Sequence, residues 1–349
     1  MRHNLLACKI IRQSALTLEY SIVDKNKLNC GYEKINFKPS EYLKILASRN
    51  IKENYFNVIP IISEHFRTQY ITNKLPLLIR EDFIFDDKKI KSNNNKIVKI
   101  CIMVHGLEAC SDDLRNMRSL ARFHCPDVIF MLSEDNEENT RDSIENMGKK
   151  LAKEIHSYLS YYMSDNELEI SFIGHSLGGL IIRASLPYLS QYKNCFKTYI
   201  SIGTPHLGCL TKKFLVSTGL KIMTKFKKYQ SLREMSLEDD DGYLVKLSKR
   251  EGLEWFKYVI FVAAYNDGYV PPASSKVLYS YRKNNNSIFI EMAKNIYEAI
   301  QAKRIIKIGI YVPDVDKGLE YYLGRKAHVD ILDNHFVKHL IFHQLKEYL

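Results

Sequence analysis

Residues 171–180 read SFIGHSLGGL, and inside them Gly174-His175-Ser176-Leu177-Gly178 has the spacing Gly-x-Ser-x-Gly. That spacing suits a serine held on a sharp turn between a strand and a helix, with its hydroxyl clear of the sheet. Glycines two residues before and after let strand and helix pack closely around the turn. The first N–H groups of the new helix, at its positive dipole end, face any oxyanion that develops beside the serine. With 26 serines and 15 glycines in 349 residues, chance alone gives about 0.05 such matches, so partners must be sought elsewhere.

A serine hydroxyl needs a base, and the base an orienting acid. When the serine sits on a strand-to-helix turn of this kind, the chain order is Ser, then Asp or Glu, then His. Asp267, in Asn266-Asp267-Gly268 directly after the apolar run KYVIFVAAY, is the candidate acid. Asp239 to Asp241 lie in a polar stretch with no strand before them and read as solvated. For the base, His328 in GRKAHVDI is read as a loop residue ahead of a final helix, and His335 is the alternative. His335, His339 and His343 fall in DNHFVKHLIFHQL, a helical pattern read as capped at Asp333. The backbone N–H groups of Leu107 and Leu177 are the candidate oxyanion donors, since main-chain amides serve whatever their side chains are. His105 reads as structural, and His206 in GTPHLG as a rim residue without a proton-transfer partner.

These residues need a frame that brings strand ends together. IVKICIMVHG (97–106) is a near-continuous apolar run of the kind buried on both faces of a sheet. A helix is expected over 111–124, a strand over 127–133, a long helix over 139–163 and a strand over 168–174. Further strands are expected over 197–203, 257–265 and 304–312. Strands alternating with helices predict an α/β fold, a mostly parallel central sheet with helices on both faces, whose site forms at the carboxyl ends of the strands. Residues 97–349 are taken as this domain, with a lid insertion over 204–256. Residues 1–96 are taken as a partly helical extension, with helices over 40–51 and 59–75 and a polar linker at 88–96, and suggest no chemistry.

The net charge of +11 is uneven: residues 1–99 hold 18 Lys/Arg against 10 Asp/Glu, leaving +3 for the remainder. In 211–233 seven Lys/Arg stand without an acid, and Leu215, Gly219, Ile222, Met223 and Phe226 share one helical face. Two readings stay open: a basic amphipathic helix touching an anionic membrane, or an ordinary helix with its apolar face on the domain. No nucleic-acid-binding motif accompanies the charge, so no nucleic-acid partner is expected. Seven scattered cysteines with no CxxC argue for reduced thiols and against a zinc site. With no secretory leader and no apolar run long enough to span a bilayer, the expected location is cytoplasmic, or peripheral on membranes.

The ordered motifs VHGLEACSDDLRNM, FMLSEDNEENT, ISFIGHSLGGLIIR, GTPHLGCL, LVSTGL, FVAAYNDGYVP and GRKAHVDILD resemble those of the eukaryotic "family with sequence similarity 135" proteins. These stand within the serine esterase, lipase-like branch of the α/β-hydrolases. The resemblance covers residues from about 97 to 349, and Gly179 stands where relatives often carry another residue. It implies an α/β-hydrolase fold and a triad of Ser176, Asp267 and His328. The expected function is hydrolysis of a carboxylic ester, lipid-like in character, with no cofactor and no metal. The competing expectation is a catalytically silent α/β-hydrolase fold that binds or regulates at membranes.

Overall fold

The computed structural model describes residues 77–83, 97–162, 167–209, 229–236, 242–278, 287–300, 304–312 and 325–349. The helices expected over 40–51 and 59–75, the linker at 88–96, the basic amphipathic stretch 211–228 and Asp239 to Asp241 lie outside the described residues.

Seven strands form one sheet: β1 (Leu77–Phe83), β2 (Ile97–Val104), β3 (Val128–Leu132), β4 (Glu167–His175), β5 (Phe196–Ile202), β6 (Tyr258–Ala264) and β7 (Arg304–Tyr311). Their spatial order is β1-β7-β6-β5-β4-β2-β3. The six strands from β2 to β7 run parallel, and β1 adds antiparallel to β7, with Leu77 opposite Tyr311 and Phe83 opposite Ile305. The expected parallel sheet is therefore present, but the domain boundary placed at residue 97 falls inside it. LLIREDF is not among the expected strands, and Arg80-Glu81-Asp82 interrupts any apolar alternation in it. Charged residues of this kind are common on edge strands.

Helices cover both faces. After a short 3-10 turn at Ser111–Leu114 come α1 (Arg115–His124), α2 (Ile144–Ser160) and α3 (Leu177–Ser185). They are followed by α4 (Gln230–Ser236), α5 (Tyr243–Ser248), α6 (Pro272–Ser275), α7 (Ser287–Ile300), α8 (Arg325–Asp333) and α9 (His335–Leu345). Alternate residues of a strand point to opposite faces, and the core divides accordingly. Ile100, Ile102 and Val104 of β2 join a cluster with Ile144 and Leu151 of α2, Leu180 of α3 and Met292 of α7. Cys101 and Met103 join the opposite cluster with Met117 of α1, Ile331 of α8 and Phe342 of α9.

Two helix starts differ from expectation. α2 begins at 144 rather than 139, because Ser143 is extended and its side chain accepts the Asn146 N–H at 3.2 Å, capping the helix there. α9 is capped by Asn334 rather than Asp333: the Asn334 side-chain oxygen accepts the Val337 N–H at 3.2 Å. The insertion expected over 204–256 is also partly core. Leu232, Met235, Leu244, Val245 and Leu247 are buried in the cluster on the α2–α3 face. Among the described residues no helix is long and apolar enough to cross a membrane.

Candidate active site

β4 and α3 meet at Ser176. Its backbone stands at φ 52°, ψ −123°, a sparsely populated conformation for a residue with a side chain and worth roughly 1–3 kcal/mol of strain. Close packing leaves the chain little alternative. A methyl built on Gly178 would lie 2.2 Å from Val104 O, and one on Gly174 would lie 2.5 Å from Gly179 Cα. Only hydrogen fits at either position, which accounts for the spacing of the motif. The turn is tied to the neighbouring strand by the Ser176 N–H, which donates to Ile202 O at 2.9 Å. Gly179 is likewise constrained, since a methyl there would meet Thr204 Oγ1 at 2.2 Å.

Asp267 lies three residues beyond β6. Its Oδ1 accepts the N–H groups of Tyr269 at 2.8 Å and Val270 at 2.9 Å, which pins the carboxylate within its own turn. Its Oδ2 receives the His328 Nδ1–H at 2.6 Å. The carboxylate side chain is 1% exposed and the imidazole 9%, so this contact is shielded from water. An acceptor at Nδ1 keeps the proton there and leaves the Nε2 lone pair free. Nε2 lies 2.9 Å from Ser176 Oγ. Ser176, His328 and Asp267, from three separate segments, thus form one hydrogen-bonded chain.

His328 stands on α8 and not in the loop expected for it. Ala327 and Ile331, four apart, are buried against the sheet, and that spacing carries the helix through His328. The alternative base, His335, is exposed, and its ring stacks on His339 at 4.4 Å. His339 in turn meets His124 Nε2 at 3.2 Å, so His335 has no part in the hydrogen-bonded chain.

Val104 of β2 is level with Gly174 of β4, which places His105 to Leu107 beside the turn. A methyl built on Gly106 would reach Ser176 Cβ at 3.0 Å. No hydrogen bond among the described residues engages the N–H of Leu107 or of Leu177. Leu177 is the first residue of α3, where the N–H has no partner within the helix.

Several buried polar residues around the site carried no clear signal in the sequence. His175 is buried beneath the turn, and its Nε2–H donates to the His328 carbonyl at 3.2 Å, tying the strand of the serine to the backbone of the base. His206 is not at the rim. It is fully buried, with Nε2 at 2.8 Å from Ser201 Oγ and Nδ1 at 3.3 Å from Arg183 Nη1. Arg183 also donates to Leu247 O at 2.9 Å, so a guanidinium anchors the GTPHLG loop from below. His105 is buried as well, its Nδ1 bonded to Gly106 O at 3.1 Å, in keeping with a structural part. Among the described residues no group of three or more His, Cys, Asp or Glu is arranged to hold a metal ion.

Burial lowers the pKa of His105, of His206 and of His175, the last to about 3, with neighbouring His328 adding to the effect on His175. In the unfolded chain these rings take up protons below about pH 6.5, whereas in the folded chain each takes up its proton only at lower pH. The unfolded state then binds more protons, so stability falls as pH drops below about 6.5, by up to about 1.4 kcal/mol per pH unit for each ring. Urea midpoints should stay nearly level from about pH 7.5 to about pH 6.5 and decline from there to about pH 5; a flat profile throughout contradicts the lowered pKa values of these rings.

Solved structures of similar shape include phospholipase PlaB from Legionella pneumophila in complex with thio-NAD, at 13% identity and a TM-score of 0.39, covering 51% of this chain and 44% of that one. Lipase BlEst2 from Bacillus licheniformis in its propeptide form shares 13% identity at a TM-score of 0.39, covering 58% of this chain and 50% of that one. The product of gene lin2722 from Listeria innocua shares 15% identity at a TM-score of 0.43, covering 73% of this chain and 96% of that one. The chain thus spans half or less of the Legionella phospholipase and the propeptide-form lipase. The family described as "Putative serine esterase (DUF676)" matches residues 94–277, a stretch that holds Leu107, Ser176, Leu177 and Asp267 and ends before His328. Since the match takes in more than half of its residues, the chain belongs to that serine esterase family.

Proposed function

We propose that this chain is a serine hydrolase that cleaves a carboxylic ester through an acyl-enzyme on Ser176. The observation that carries the reading is the hydrogen-bonded chain from Ser176 Oγ through the His328 imidazole to Asp267 Oδ2. As Ser176 Oγ attacks the ester carbonyl, His328 Nε2 takes its proton, and Asp267 stabilises the imidazolium that results. The N–H groups of Leu107 and Leu177 hold the oxyanion. His328 then passes the proton to the departing alcohol oxygen, and a water repeats the sequence to release the acid.

The substrate class we propose is lipid-like. Leu107 follows Gly106, which abuts the serine turn, and its partly buried apolar side chain packs against the core cluster on the α2–α3 face, which supports an apolar contact for the acyl chain. The motif resemblance to the "family with sequence similarity 135" proteins favours the same class. Within this reading the catalytic unit runs from about residue 97 to 349 with β1 added at its edge, and residues 1–76 have no assigned part. Peripheral contact with an anionic membrane in a cytoplasmic setting is supported only by the seven Lys/Arg of 211–233.

p-Nitrophenyl esters with acyl chains of about four to twelve carbons test the proposal. Stopped-flow traces should show a burst of nitrophenol near one equivalent, and kcat/KM should rise with chain length by up to about fourfold per methylene. Absence of burst and turnover in folded protein would leave the silent binding fold as the better account.

A further inference from the structure

Glu108 directly follows Leu107, and its backbone stands at φ 52°, in the left-handed region. For a residue with a long side chain this conformation is uncommon and persists only where the surroundings hold it. Its N–H donates to Thr140 Oγ1 at 3.0 Å. The Tyr229 hydroxyl donates to Glu108 Oε1 at 2.6 Å, and the Arg141 guanidinium reaches the same oxygen at 3.4 Å. Arg141 also lies 4.7 Å above the Tyr229 ring.

Those partners are themselves fastened. The Thr140 carbonyl accepts the Ser231 hydroxyl at 2.7 Å, and the Arg141 carbonyl accepts the Gln230 N–H at 2.9 Å. Further along, Glu234 accepts the Ile144 N–H at the start of α2 at 2.8 Å, and the Cys209 N–H donates to Met235 O at 2.9 Å. The segment 229–236 is thus laced to Cys209, to the start of α2 and to the loop beside Ser176.

We propose that Glu108 is a positioning residue: latched by Tyr229, it holds the Leu107 N–H where the oxyanion forms and so ties the segment 229–236 to the oxyanion hole. The inference rests on the part given to Leu107 in the function proposed above. A hydroxyl donating to a carboxylate is a charge-assisted bond, stronger than a neutral one. Once it is lost, Glu108 can relax toward negative φ, which turns the adjoining peptide and carries Leu107 with it. An oxyanion donor so displaced lowers kcat, because it acts in the transition state and not on bound substrate.

The test compares Tyr229→Phe, Glu108→Gln and Glu108→Ala with Tyr188→Phe, which removes a hydroxyl bonded to Glu145 elsewhere. Two readouts are taken on the full chain: amide hydrogen exchange across residues 105–110, and kcat and KM for a p-nitrophenyl ester. In Tyr229→Phe, exchange at 105–110 should quicken by roughly tenfold and kcat should fall by roughly tenfold with KM little changed. Glu108→Gln, whose amide oxygen still accepts from Tyr229, should lose less kcat than Glu108→Ala, and Tyr188→Phe should alter neither readout. Exchange at 105–110 that matches wild type in both Tyr229→Phe and Glu108→Ala overturns the proposal, as does a rise in KM with kcat unchanged. If wild type shows no ester turnover, the function proposed above fails, and the exchange data alone decide the latch.

Discussion

Ester turnover by Ser176→Ala is expected to fall by roughly 10⁶-fold, the loss seen when the nucleophile of a serine triad is removed. The size of the effect follows from how little else could replace the hydroxyl. Oγ is the group 2.9 Å from His328 Nε2, on a turn whose Cβ is abutted by Gly106. Removing it leaves the proposed oxyanion donors in place, so a residual rate above that of water should persist. The fold should tolerate the change. Alanine at φ 52° carries much the same backbone strain as serine and fills less space, so stability should move by no more than about 1 kcal/mol. Initial rates on a p-nitrophenyl ester, with a urea melt of each protein, check both halves. Turnover within tenfold of wild type would move the chemistry away from Ser176.

Asp267→Asn is expected to lower kcat by about 10⁴-fold while leaving the backbone in place. Asp267 Oδ1 accepts two backbone N–H groups, from Tyr269 and Val270, so the asparagine oxygen takes that position and its amide nitrogen turns toward His328. An NH₂ group donates, which forces Nδ1 to become the acceptor and moves the imidazole proton to Nε2. Nε2–H can no longer take the serine proton, although every heavy atom stays within a few tenths of an ångström. The ¹⁵N chemical shifts of His328 report the exchange of tautomers directly, alongside kcat. An unchanged tautomer with full activity would show that Asp267 does not orient the base.

Much of the candidate site is legible in the sequence, for specific physical reasons. Strands buried on both faces, such as IVKICIMV, announce themselves as continuous apolar runs, and the residues after them must lie at the carboxyl edge of the sheet. That logic singled out Ser176, Asp267, Leu107 and Leu177 together. It failed for β1, because an edge strand needs no apolar alternation and LLIREDF shows none. It misjudged the setting of His328, since the buried Ala327 and Ile331 that continue a helix through this residue are spaced like any short helical segment. His206 could not be read at all. Whether a histidine beside a strand end is exposed or buried depends here on Arg183 of α3, which is distant in sequence, and on the loop folding back onto Ser201. The strain at Glu108 was equally hidden, because positive φ in a residue other than glycine leaves no mark on composition.

The central claim is that Ser176 is an activated nucleophile. Wild-type protein incubated with a fluorophosphonate near pH 7.5, then weighed intact and mapped by peptides, tests it most directly. One adduct per chain on the peptide containing Ser176, absent from Ser176→Ala and strongly slowed in His328→Ala, is the predicted result. Folded protein that takes up no probe, or takes it up at another residue, would contradict the account.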